Sequence, residues 1–176
     1  ETMNIFAIEK NKAGDIDWVT SARSQDNYRV VKMILESCQM LCTVLNEQAG
    51  EQVAPYRSTH KNHPSTKWAA ASSHNFCMLM VHCAELIEEY KRRFNNRTHK
   101  CEVVYKQIQG LFNPDLFPTG EPTTLPMAMP HHFQSDDIVE SYRRFYASKP
   151  RVRYPANKVP DWFDKYRGDV EYEVVA

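Results

Sequence analysis

The chain has only five glycines in 176 residues, too few for the many tight turns of a β-sandwich or barrel. No apolar run reaches the roughly 18 residues of a membrane-spanning helix, and no secretory signal pattern opens the sequence. A membrane partner is therefore not expected. Gly-x-Gly-x-x-Gly, the Walker loop and Gly-x-Ser-x-Gly are all missing, which leaves nucleotide-driven and serine-hydrolase chemistry without support. There is no Cys-x-x-Cys, and the five cysteines are odd in number. Cys38, Cys42, Cys77, Cys83 and Cys101 lie mostly in helix-like stretches, so they read as buried thiols of a reduced, intracellular protein rather than a disulfide frame. Net charge is absent too: 22 basic residues face 22 acidic ones.

What is present is ordinary for a globular chain. Hydrophobic residues make up 42% and charged residues 25%, and 20 residues are aromatic, which excludes disorder throughout. The length points to one domain that buries roughly 70% of its unfolded surface. Residues 3–168 are expected to form that domain and 169–176 a tail. Glu1-Thr2 before Met3 resembles a cloning remnant.

The charges cancel in sum but not in place. Five basic residues and no acid lie between Lys91 and Lys100. From Ser141 to Arg167 there are eight basic residues against Asp161 and Asp164. Arg57, Lys61 and Lys67 share a third stretch with two histidines and no acid. One positive face is expected, and distribution rather than total charge decides whether nucleic acid can bind.

Periodicity predicts an all-α fold of four to five helices with long irregular connections. Val31, Ile34, Leu35, Cys38, Leu41, Cys42 and Leu45 give a wide apolar stripe over about 26–46, with Ser24 or Asp26 as cap and Gly50 beyond the end. A longer helix is expected over about 65–95, entered through Pro64. One of its faces is mixed: Trp68, Ser72, Asn75, Leu79, His82, Leu86, Glu89 and Arg93. A shorter helix is expected over about 99–109. Residues 110–130 hold five prolines and two glycines, and long irregular segments in compact domains are often functional. A fourth helix starts near Ser135, with Asp136 and Asp137 against its positive dipole end. Residues 4–8 fit either a short strand or an extended anchor.

Three constellations can carry chemistry. In the first, Arg57, His60, Asn62 and His63 precede a helix N-terminus, a setting that favours an anion such as phosphate. His60 and His63 alone do not make a metal site, and neither metal nor cofactor is expected. In the second, Asn75, His82, Glu89 and Arg93 share one stripe. Glu89 with Arg93 is either a structural ion pair or a carboxylate that orients a water or steadies a cation. His82 reads as a satisfied, semi-buried histidine. In the third, Tyr142, Arg143, Arg151, Arg153 and Trp162 combine phosphate-binding cations with rings that stack on bases, although Tyr142 and Trp162 also suit a core.

The chain resembles the pyrimidine-dimer DNA glycosylase family, the endonuclease V type found in phages. The resemblance rests on Asp26-Asn27-Tyr28-Arg29-Val30, on Tyr56…Asn62-His63-Pro64 followed by Glu89…Arg92-Arg93-Phe94, and on Pro160 to Gly168. It is also similar to phage proteins with this His-Pro loop and a Met129-Pro130 motif. The resemblance implies a helical DNA-binding domain that flips a base and attacks the sugar with an N-terminal amine. Asp26 then stands for the carboxylate that steadies the imine, and Arg29 for a phosphate-binding arginine. On this reading Asp26, His63 and Glu89 are the catalytic candidates and a pyrimidine in DNA is the substrate. The protein acts in a bacterial host cytoplasm, with DNA as partner and no obligate protein partner. Two alternatives stand beside it: a transferase that modifies a 5-hydroxymethyl pyrimidine on the same scaffold, and a non-enzymatic phage protein that binds nucleic acid or a host protein.

Overall fold

Asp26 and Gly50 bracket the helix around which the chain folds. In the computed structural model, which describes residues 3–176 and so leaves Glu1-Thr2 outside, this is α2 (Asn27–Ala49). Asp26 is extended at its N-cap and accepts from the Tyr28 N–H, and Gly50 closes the other end in the left-handed region at φ 70°. A residue with a Cβ is strained there, which is why glycine ends so many helices. Val30, Ile34, Cys38, Leu41, Cys42 and Leu45 are all buried, as the three-and-four spacing requires. Val31 is exposed and Leu35 only partly buried, so the stripe is narrower than expected on that side.

The fold is all-α. Among the described residues α2 is joined by α1 (Trp18–Arg23), α3 (Pro64–Ala71), α4 (Ser73–Arg93), α5 (Glu102–Leu111), α6 (Ile138–Ala147) and α7 (Phe163–Arg167). Helices α1, α2 and α3 pack on α4, and α5 packs on α2. No helix among the described residues is long and apolar enough to cross a membrane.

The long helix expected over 65–95 is two helices. Ser72 is extended, at φ −156° and ψ 141°, and its hydroxyl caps α4 by accepting from the His74 and Asn75 N–H groups. The break is imposed from a distance: the Ser73 N–H donates to the Thr119 carbonyl at 3.0 Å. Residues 110–130 are the strap that makes this contact. Leu125 and Phe117 are buried in the core, and the Tyr142 hydroxyl donates to the Pro126 carbonyl at 2.7 Å.

Residues 3–8 form an extended, fully buried anchor rather than a strand. Side chains satisfy its backbone where a sheet partner would. The Ser21 hydroxyl accepts from the Ile8 and Glu9 N–H groups at 3.1 and 3.0 Å, and Arg143 donates to the Ile8 carbonyl at 2.7 Å. The C-terminal residues are drawn in as well. Strand β2 (Glu173–Val175) pairs in parallel with β1 (Arg153–Pro155), and Tyr172 packs on Phe163 with ring centres 4.8 Å apart. One buried apolar cluster runs from Met3 to Phe163.

Candidate functional site

Asp26 and Arg29 are both fully buried, with no side-chain exposure. The Asp26 carboxylate accepts from the Tyr146 hydroxyl, from the Tyr28 N–H at 3.3 Å and from the Arg153 N–H at 3.1 Å. The Arg29 guanidinium lies 3.6 Å from it. Burial first, and then the Asp26 charge, push the Tyr146 hydroxyl well above its ordinary pKa, so Tyr146 remains a donor. This carboxylate is saturated by the fold, and Arg29 presents nothing to a phosphate on the surface.

Glu89 is also fully buried and is gripped by cations. Arg93 and Arg92 donate to it at 2.7 and 2.8 Å, and Lys158 stands 3.5 Å away. Burial alone raises its pKa, but the hydrogen bonds from Arg93 and Arg92 and the charge of Lys158 bring it below the usual carboxylate value. Arg93 spends its remaining N–H groups on the Gln25 and Arg23 carbonyls, at 2.6 and 2.7 Å. It therefore ties the end of α4 to the corner between α1 and α2. Asn75 lies fourteen residues up α4 from Glu89, roughly 21 Å along the axis, so these groups do not share a pocket. His82 lies between them, bonded to the Trp18 carbonyl at 2.8 Å; burial lowers its pKa to about 4.

In the His-Pro loop, His63 caps α3, accepting from the Ser65 N–H at 3.1 Å. Burial and then the neighbouring His60 lower its pKa, which keeps the ring neutral and able to accept. Arg57, His60 and Asn62 are exposed. His60 sits in the left-handed region at φ 51°, its ring 2.7 Å from the Thr59 hydroxyl.

The tail residues divide into two kinds. Tyr142 is core. Arg143 is held by the Ile8 carbonyl and by Glu9 at 2.8 Å, and it lies 5.0 Å above the ring of Trp162, whose N–H also donates to Glu9 at 3.0 Å. Arg167, which the sequence did not single out, binds the Ala147, Lys149, Val170 and Glu171 carbonyls. Arg151 and Arg153 are exposed and line a shallow hollow of about 590 Å³ with Tyr28 and Tyr172. Arg153 pairs there with Glu173 at 3.2 Å. Arg151 has no ion pair among the described residues and lies 5.9 Å from the Tyr28 ring centre.

A more enclosed cavity lies elsewhere, a cleft of about 730 Å³ between α1, α3, α4, the strap and the start of α6. Trp18 and Trp68 form its aromatic wall, with ring centres 5.4 Å apart and planes 31° from parallel. The strap closes another wall. The Trp68 N–H donates to the Thr123 carbonyl at 2.9 Å. The buried Asn75 amide donates to the Thr123 hydroxyl at 2.6 Å, and its oxygen accepts from the Thr123 N–H at 3.1 Å. His74, Thr124, Asp15 and Asp136 line the cleft and are solvent-exposed. Lys10 pairs with Asp137 on its rim. Asp137 also caps α6, which together with Lys10 lowers its pKa against the opposing effect of burial.

The cleft has the features common to ligand sites: it is concave and combines apolar and aromatic walls with a few polar groups. The sequence pointed toward it through the mixed stripe on which Trp68 and Asn75 stand and through the irregular segment 110–130. Trp18, Thr123 and Asp15 join them from distant segments. The four buried thiols near α2 behave as packing groups, with the Cys38 and Cys83 sulfurs 3.9 Å apart and Cys42 raised in pKa by burial. No cluster of three or more His, Cys, Asp and Glu among the described residues is placed to hold a metal ion. No protein-family model, curated protein or solved structure matches the chain.

Proposed function

We propose that this protein acts on DNA and takes a pyrimidine out of the duplex into the cleft beside Trp18 and Trp68. The observation that carries this reading is the cleft itself. An indole wall suits the flat face of a base, and hydroxyl, imidazole and carboxylate groups on the other walls suit its hydrogen-bonding edge. Lys67 directly precedes Trp68, and Lys12 lies in the turn whose later residues line the mouth. Both are exposed cations available to phosphates. Chemistry of the glycosylase type is the first reading.

The second reading, a transferase that modifies a 5-hydroxymethyl pyrimidine, draws on two observations. The Asp26 carboxylate is enclosed and saturated, so it does not reach an imine formed on an open sugar. The cleft also has room for a second small reactant beside a base. Mass spectrometry of nucleosides from duplex DNA incubated with the protein tests both. Loss of a pyrimidine supports glycosylase chemistry, and a new nucleoside mass, formed when a donor is supplied, supports the transferase. Unchanged DNA together with no duplex binding overturns both.

A further inference from the structure

The cleft carries a charge pattern that a neutral pyrimidine leaves unused. Lys10, the one lysine that lines it, is committed to Asp137, and Asp137 is itself committed to the Val139 and Glu140 N–H groups of α6. Asp15 comes from the turn before α1 and Asp136 from the approach to α6. Their carboxylates are exposed and have neither an ion pair nor a hydrogen bond among the described residues. Capping accounts for Asp137 and the dipole of α6 favours a charge at Asp136, but neither gives these two carboxylates a partner. The indole pair lines the same cleft. The Trp68 N–H is taken by Thr123 and Trp68 is only 5% exposed, so the partly exposed Trp18 offers a ligand the more open π face.

Two carboxylates without a partner in the lining of an aromatic cleft favour a cation within it. An organic ammonium ion satisfies both features at once. Its N–H groups make charge-assisted hydrogen bonds to carboxylates, and its positive charge lies favourably over an indole face. We propose that the Trp18–Trp68 cleft binds an organic ammonium ion, an amine carried on a small apolar or planar body, with Asp15 and Asp136 as its counter-charges. This goes beyond the DNA reading and does not rest on it. The cleft volume of about 730 Å³ leaves space for such a cation beside a base.

The test uses the whole protein and three probes of similar size: n-butylammonium, n-butanol and butyrate. Binding is followed by the indole N–H signals of the tryptophans in proton–nitrogen NMR. The expected result is saturable shifts at Trp18 and Trp68 with butylammonium, at an affinity at least tenfold above that for butanol, and none with butyrate. The double variant Asp15→Asn and Asp136→Asn should lose that preference while its melting temperature falls by no more than about 4 °C, the loss of one charge beside the α6 N-terminus. Equal binding of amine and alcohol overturns the proposal, as does a preference that survives in the double variant or an absence of butylammonium binding. Duplex binding measured on the same samples separates the two ideas. Amine preference without duplex binding removes the DNA reading alone, and duplex binding without amine preference removes this one alone.

Discussion

The two buried charge clusters and the tryptophan cleft make opposite use of their residues. Around Asp26 and Glu89 the chain gathers carboxylates, arginines and tyrosines, the side chains from which active sites are built. Every one of these carboxylate groups is already matched inside the protein: Asp26 by Tyr146, Arg153 and Tyr28, and Glu89 by Arg92 and Arg93. The cleft is lined by two indoles, a methionine and aliphatic residues that a sequence assigns to a core, yet the Asp15 and Asp136 carboxylates in it are exposed and keep unused capacity. Residue type tells what a side chain can do. Whether it has spare hydrogen-bonding capacity, and a path to solvent, tells whether it is available to do it.

The contrast breaks most visibly at Glu89. Glu89→Gln leaves Arg93, whose side chain is only 4% exposed, without its counter-charge, and breaking such a buried pair costs about 3–5 kcal/mol. The melting temperature should fall by about 10 °C. An unchanged melt in this variant would return Glu89 to the list of functional candidates.

Acid comes next. His82 is neutral in the folded chain down to about pH 4, whereas an unfolded histidine takes up its proton near pH 6.5. The unfolded state therefore binds more protons between these values, and stability is lost as pH falls through that window, by up to about 3 kcal/mol. Denaturant unfolding from pH 7 to 4 should show this loss, and His82→Gln should flatten the curve over that window.

A smaller effect is expected at the strap. Asn75→Ala removes three hydrogen bonds to Trp68 and Thr123 and should cost about 2 kcal/mol. Hydrogen exchange should quicken over residues 119–125 while α2 keeps its protection. The smallest effect on stability belongs to Arg151→Ala, within about 0.5 kcal/mol. If Arg151 contacts a phosphate, the slope of duplex binding against salt should drop by about one unit.

How much of this was legible depends on how local the cause is. Helix α2 could be read because Asp26 and Gly50 mark its ends and its apolar spacing lies within one segment. The break at Ser72 could not, since Ala69, Ala70, Ala71 and Ser73 carry no glycine or proline and the interruption is held by Thr119, 46 positions beyond Ser73. Helix α1 is six residues long, too short to show a period. The Glu89–Arg93 pair was legible as a pair, because four residues bring side chains together on a helix. Its burial was not, because that depends on the corner between α1 and α2 and on Lys158. Asn75 and Trp68 stood out on their mixed stripe, but the partner that gives them meaning, Thr123, lies 48 residues beyond Asn75.

The most direct measurement is photo-crosslinking of a duplex that carries 5-iodouracil in place of one thymine, with the attached peptide mapped by mass spectrometry. If a pyrimidine enters the cleft, the adduct should fall on Trp18, Trp68 or His74, and Trp18→Ala should redirect or abolish it. Adducts confined to Tyr28 or Tyr172, in the hollow beside Arg151, would contradict the assignment of the cleft as the base site, as would a bound duplex that gives no adduct in the cleft.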